Sequence, residues 1–253
     1  MGSNYILRVE GATVSFDGFT VLDKLNLSVE YGELRFLIGP NGAGKTTLLD
    51  MLTGKVRPSG GRVLYDELHD ITRLPEHALV HRGIGRKFQT PSVYNSLTCY
   101  ENLQVALGFR RPLFSLFGRA PRSERDRIMA GLERVGLDSR ATTVAGELSH
   151  GERQWLEIGM LLVQDPKLVL LDEPVAGMTR RERDKTGELL HSLEHQHTII
   201  ITEHDMEFVR SYSRTVTVLH MGRVIAEGPM EQVQQEPQVI EVYLGRSAVE
   251  QPV

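Results

Sequence analysis

The stretch Leu37-Ile38-Gly39-Pro40-Asn41-Gly42-Ala43-Gly44-Lys45-Thr46-Thr47 constrains this chain more than any other. The apolar run at 34–38 reads as a buried strand, and Gly39 breaks it into a turn. A helical pattern starts around Lys45 and continues through Leu48, Leu49 and Leu52. Gly39, Gly44, Lys45 and Thr46 fill the template G-x-x-x-x-G-K-[ST], with Pro40, Asn41, Gly42 and Ala43 between them. Glycines let successive backbone N–H groups turn inward into an anion-binding nest, with no Cβ in the way. The helix N-terminus behind them adds partial positive charge. Lys45 is expected to reach the β- and γ-phosphates and the Thr46 hydroxyl to ligate magnesium. A chance glycine-rich turn would lack the strand before it and the helix after it. The expectation is a Mg2+–nucleoside triphosphate site.

The remaining bounds are broad. The chain has 253 residues, 40% hydrophobic and 25% charged, which is ordinary globular composition with material for one or two domains. A net charge of −4 gives no basic footprint, so no nucleic-acid partner is expected. Cys99 is the only cysteine, which rules out an intrachain disulfide and fits a reducing compartment. No apolar run approaches the ~18–20 residues of a membrane helix, and the start carries no signal-peptide core. The expectation is a soluble protein.

Residues 5–31 alternate (Ile6, Val9, Val14, Phe16, then Val21, Leu25, Leu27, Val29) around an Asp17-Gly18 turn, an antiparallel pattern. Phe16 has two readings: an aromatic platform for the adenine ring, or an inward-facing core residue. A turn at 58–61 precedes a short strand at 62–65, and a helix is expected from Pro75, a residue suited to the first helical position. Residues 83–89 read as a strand with a polar end. There Gln89 either contacts magnesium or the attacking water, or is a surface residue before the Thr90-Pro91 turn. Residues 98–150 read as mostly helical. Thr98 and Glu101 form a capping-box pattern, and a second helix is expected at about 123–135. Its Arg125, Arg127 and Arg134 lie opposite Ile128, Met129 and Leu132. The arginines, with the arginine-flanked apolar patch at 110–119, are either a solvated face or a surface for lipid headgroups or a membrane partner.

From 149 the pattern returns to helix, 152–163, where Gly159 implies close packing. An apolar strand then ends in Asp172-Glu173. This is the Walker B arrangement: Asp172 is expected to hold magnesium, often through water, and Glu173 to orient or deprotonate the attacking water. Thr179 and Glu182 form another capping box, opening a helix at 180–193. A strand at 198–202 delivers Glu203-His204-Asp205, placing His204 to contact the γ-phosphate. Two strands, 215–219 and 223–226, flank a Met221-Gly222 turn. A short helix at 239–245 precedes a tail at 246–253. The segment Leu148-Ser149-His150-Gly151-Glu152 opens a helix and offers a hydroxyl, N–H groups and a helix N-terminus as a second phosphate surface. Far along the chain from the first, it is expected to grip a partner's nucleotide, so that two chains set head to tail each sandwich an ATP.

Together these residues resemble the ABC ATPase family over nearly the whole chain. The resemblance implies an α/β fold: a P-loop NTPase (RecA-like) core with an N-terminal antiparallel β subdomain (4–97 and 151–246 together) and an inserted α-helical subdomain at 98–150. The cassette would span 4–246, with a tail at 247–253. It makes Gly39, Pro40, Asn41, Gly42, Ala43, Gly44, Lys45, Thr46 and Thr47 the ATP loop, with Phe16 as the adenine-stacking aromatic. Ser149, His150, Gly151 and Glu152 become the signature on the partner's ATP, and Glu173, His204 and Gln89 the catalytic set. Thr46, Gln89 and Asp172 would be the metal contacts for Mg2+. Arg86-Lys87-Phe88-Gln89-Thr90-Pro91, Glu203-His204-Asp205-Met206-Glu207-Phe208-Val209 and the ending at 239–245 look most like ATP-binding subunits of branched-chain amino-acid-type importers. The wording Leu148-Ser149-His150-Gly151 with Gln154-Trp155-Leu156-Glu157-Ile158-Gly159-Met160-Leu161, then Asp172-Glu173-Pro174-Val175-Ala176-Gly177-Met178-Thr179, is similar to the urea-importer ATPases of that class.

The resemblance therefore implies an importer motor for urea first and a branched-chain amino acid second. Its partners would be a second ATPase subunit (same or sibling chain), two membrane permease subunits and, indirectly, a solute-binding protein. The location implied is cytoplasmic, peripheral on the inner face of the membrane. A lipopolysaccharide-export-type ATPase would share nearly every motif. A non-transport ABC protein would usually carry a long coiled coil or a second cassette. Three residues depart from the family pattern: His150 for Gly, Glu152 for Gln, and Thr179 for the Asp that ends the loop after Walker B.

Overall fold

In the computed structural model, the described residues are 4–66, 69–87, 93–108 and 121–247. Two sheets organise them. β1 (Tyr5–Phe16) and β2 (Phe19–Glu30) form a long antiparallel hairpin, which β4 (Gly60–Tyr65) and β5 (His69–Asp70) extend to the order β2-β1-β4-β5. The second sheet runs β10-β9-β3-β8-β7-β6, built from β3 (Leu34–Ile38), β6 (Ile84–Lys87), β7 (Leu168–Asp172), β8 (Thr198–Thr202), β9 (Thr215–His220) and β10 (Arg223–Gly228). From β9 to β6 the neighbours are parallel, and β10 pairs antiparallel with β9 at one edge.

Every residue of β3, β7 and β8 is buried. A parallel strand is covered on both faces, so its sequence reads as a continuous apolar run rather than an alternation. The side chains still alternate between two cores. Phe36, Val169, Leu171, Ile199 and Ile201 enter one with the helices, while Leu37, Leu168, Leu170 and Ile200 enter the other with the antiparallel sheet and α1 (Lys45–Leu52). The central sheet is thereby fixed between a β layer and a helical layer.

The helical layer includes α3 (Cys99–Gly108), α4 (Arg122–Arg134) and α5 (His150–Leu162), which pack on one another. Asn102, fully buried, fastens α3 to the chain before it: its amide donates to the Thr98 and Tyr94 carbonyls at 2.9 and 3.1 Å and accepts from the Tyr94 N–H at 2.8 Å. Thr98 and Glu101 close the expected capping box. A Cβ on Gly159 would sit 3.2 Å from Val135, so the glycine does mark close helix packing. Among the described residues no helix is long and apolar enough to cross a membrane.

Some element ends differ from the sequence reading. Pro75 caps α2 (Glu76–His81) from outside, with an extended backbone. β4 begins within the expected 58–61 turn, and Met129 faces solvent rather than the core. β7 stops at Asp172, because Glu173 turns out of the strand at φ 48°. The last helix, α9, runs Pro237–Ser247, into the expected tail. Gln89 and the patch at 110–119 lie outside the described residues.

Candidate active site

The loop after β3 is held in shape by close approaches that only glycine permits. A Cβ on Gly39 (φ 152°) would stand 2.2 Å from the Leu219 carbonyl oxygen, and one on Gly44 (φ 104°) 2.8 Å from Leu22. Gly44 is also the N-cap of α1, in the left-handed region and with no side chain bonded to the helix end. The first-turn N–H groups of α1 therefore face the loop with no carboxylate in that turn, which leaves an anion-binding helix end. Lys45 lies across the loop, donating to the Gly39 and Pro40 carbonyls at 2.6 and 3.2 Å. Thr46 is exposed beside it.

Next to this loop is a cleft of about 420 Å3, walled by Phe19, Val21, the turn at 40–43 and Met221. Phe16, 47% exposed at the end of β1, is not a core residue. It pairs in register with Phe19, which is 74% exposed, and Met221 across the cleft is 76% exposed. Large apolar side chains this bare beside an anion loop suit the flat face of a base. The sequence reading missed Phe19 and Met221. Phe19 sits just past the Asp17-Gly18 turn, where hairpin pairing places it on the same face as Phe16.

The carboxylate end of β7 is built by its sheet neighbours. The Thr202 hydroxyl on β8 donates to Asp172 at 2.6 Å and accepts the Glu173 N–H at 3.3 Å; that N–H also reaches the Thr202 carbonyl at 3.0 Å. Arg86, buried on β6, ion-pairs with Asp172 at 3.1 Å and with Asp50 of α1. Both Asp172 oxygens are thus engaged inside the protein. Glu173, turned out of the strand, faces the His204 ring, with Nδ1 3.5 Å from its carboxylate.

Glu203 supports this pair from below. Fully buried, it accepts the Val175 N–H at 3.3 Å and the His204 N–H at 3.2 Å, tying the loop after Glu173 to the loop carrying His204. Burial pushes its pKa up to about 6 against the pull of those N–H groups. The sequence reading named Glu203 only as a neighbour of His204 and gave Arg86 no part. Both roles depend on β6, β7 and β8 lying side by side.

The turn at 148–152 opens α5. Ser149 is the N-cap: its hydroxyl accepts the Glu152 N–H at 3.2 Å, and Glu152 accepts the Ser149 N–H at 2.8 Å. Arg140 pairs with Glu152 at 3.2 Å. Burial alone would raise the Glu152 pKa, but the Ser149 N–H and Arg140 outweigh it and hold the carboxyl below its ordinary range. The His150 ring bonds the Ala176 carbonyl at 3.1 Å, fastening the turn to the loop after β7. Thr179 and Glu182 close the capping box of α6 (Arg180–Leu193). All three departures from the family pattern are thus locally satisfied: Glu152 and Thr179 as caps, and His150 as a tie.

A strand, glycine loop and helix on a mostly parallel sheet, facing an acidic strand end, define a P-loop ATPase. The comparisons narrow this. The family described as ABC transporter matches residues 22–176, and the one described as branched-chain amino acid ATP-binding cassette transporter matches 223–249. The high-affinity branched-chain amino acid transport ATP-binding protein BraF of Pseudomonas aeruginosa is 37% identical, over 97% of this chain and 100% of its own. The solved ADP conformation of MJ1267, an ATP-binding cassette of an ABC transporter, superposes with a TM-score of 0.85 at 34% identity, covering 96% of this chain and 100% of that one. A dimeric post-hydrolysis structure of the cassette MJ0796 with ADP and Pi has a TM-score of 0.75 at 25% identity, covering 88% and 98%. The chain belongs to the ABC transporter family, as one of its ATP-hydrolysing cassettes.

Proposed function

We propose that this chain powers an importer of the branched-chain amino-acid type. The observation that carries the reading is the match at 223–249, which covers β10, α8 (Met230–Val233) and the whole of α9 and lies beyond the general cassette match. BraF, similar over its full length, is named for the same solutes. The sequence ranking, urea before branched-chain amino acids, is therefore reversed.

In this reading the loop at 39–47 cradles the triphosphate, and Lys45 leaves the Gly39 and Pro40 carbonyls for the β- and γ-phosphates. Phe16, with Phe19 and Met221 beside it, receives the adenine. Mg2+ suits the donor set, because Thr46 and Asp172 supply hard oxygen. With both Asp172 oxygens bonded to Thr202 and Arg86, that carboxylate would hold the ion through water, since Mg2+ usually keeps several waters. When bound, the ion would neutralise charge developing on the phosphates. Glu173 takes the proton of, or orients, the attacking water, and His204 beside it contacts the γ-phosphate. Gln89 is assigned to the metal and water on family pattern alone.

Ser149, His150, Gly151 and Glu152 meet the nucleotide of a second cassette, and the solved MJ0796 dimer supports such pairing. Two permease subunits in the membrane, with an external solute-binding protein, complete the machine, and the cassette sits on their cytoplasmic side. The test is to purify the chain with its membrane subunits and measure ATP consumption. Leucine, isoleucine or valine with the cognate binding protein is expected to stimulate it; stimulation by urea alone would overturn the solute assignment.

A further inference from the structure

We propose that Glu182 sets the ATP threshold for pairing: its carboxylate lies on the signature turn of its own chain, against the approach of a partner's terminal phosphate. The inference rests on the shared-nucleotide reading above. Glu182 is the third residue of α6, and one oxygen closes the capping box, accepting the Thr179 N–H at 2.9 Å and its hydroxyl at 2.8 Å. The other oxygen lies over the turn. A Cβ on Gly151 would stand 2.3 Å from that oxygen and 2.5 Å from the carboxyl carbon. The signature glycine is therefore the surface against which this carboxylate packs.

The charge is present at neutral pH. Hydrogen bonds from the Thr179 N–H and hydroxyl lower the Glu182 pKa against a smaller opposing effect of burial, and the Ser149 hydroxyl and His150 lower it further. The hydroxyl expected to meet a phosphate is thus already within reach of an internal anion. Three cations of this region are engaged elsewhere: Arg140 with Glu152 at 3.2 Å, Arg183 with Asp205, and Lys185 over the Trp155 ring at 4.0 Å. A helix N-terminus favours an anion, and here the chain supplies its own. An incoming γ-phosphate meets like charge at this turn until Glu182 yields or enough nucleotide-loaded partner accumulates.

Gln serves a capping box as well as Glu does, so Glu182→Gln removes the charge and keeps the cap. The experiment follows ATP-dependent dimer formation by sedimentation in a Glu173→Gln background, where bound ATP persists. Glu173→Gln/Glu182→Gln is expected to need about five- to tenfold less ATP for half-maximal dimer than Glu173→Gln alone, as removal of one close like charge implies. The gap should narrow in high salt, where charge is screened. Thermal melting of each variant checks the fold, and Glu182→Asp, which keeps the charge one methylene shorter, should not reproduce the Gln result. An unchanged or raised ATP requirement in the Gln variant overturns the proposal while leaving pairing intact. Failure of Glu173→Gln itself to dimerise with ATP overturns the shared-nucleotide reading, and this inference with it.

Discussion

Thr202 holds two carboxylates in place with one hydroxyl: it donates to Asp172 and accepts the backbone N–H of Glu173. That is why Glu173 can leave the strand at φ 48° and still be fixed, a conformation that otherwise costs a non-glycine residue about 1 kcal/mol or more. Glu203 is the less obvious member of the site. Its folded pKa of about 6 exceeds the 4.5 of an ordinary glutamate because burial disfavours its charge. The folded state therefore binds more protons than the unfolded one between pH 4.5 and 6. Across that window its contribution to stability falls as pH rises. Relative to Glu203→Gln, the parent is expected to lose about 2 kcal/mol between pH 4 and pH 7. Urea titrations of both proteins at the two pH values would measure the gap, and a pH-independent gap would contradict the assignment.

At the scale of elements, β6 links the site to the helical layer. Arg86 reaches Asp172 and Asp50, while its neighbour Lys87, fully buried, pairs with Glu157 of α5 at 3.5 Å. Burial lowers the Lys87 pKa, with Glu157 pulling it back up. Removing one member of such a pair strands a buried charge, whereas replacing both with apolar residues need not destabilise. Lys87→Met is expected to lose about 3–5 kcal/mol, with Lys87→Met/Glu157→Leu recovering most of it. Chemical denaturation of the two variants checks this; equal losses would show that packing rather than charge dominates.

These elements also show what the sequence could disclose. The buried strands, the glycine loop and the caps at Thr98 and Thr179 are local, so residue type and spacing expose them. Phe16, Asp172, Glu173 and His204 were legible because each stands at a strand end. Arg86, Lys87 and Glu203 were not, because Arg86 and Lys87 find partners on β7, α1 and α5 and Glu203 on the loop after β7, and only the strand order β8-β7-β6 brings these together. Phe19 escaped notice because a lone aromatic after a turn carries no periodic signal.

For the whole molecule, the phosphate loop and the signature turn belong to different layers. The loop stands between β3 and α1, and the turn opens α5 in the helical layer. In the pairing proposed above, each working pocket takes its loop from one chain and its turn from another. A pocket of that kind would exist only in a pair, so hydrolysis would follow the population of pairs. The direct measurement is ATP hydrolysis per molecule of the isolated chain across a wide dilution series at saturating Mg2+–ATP. Specific activity is expected to climb with protein concentration and fall toward zero on dilution; a specific activity that stays constant down to concentrations where sedimentation shows only single chains would rule out a shared pocket.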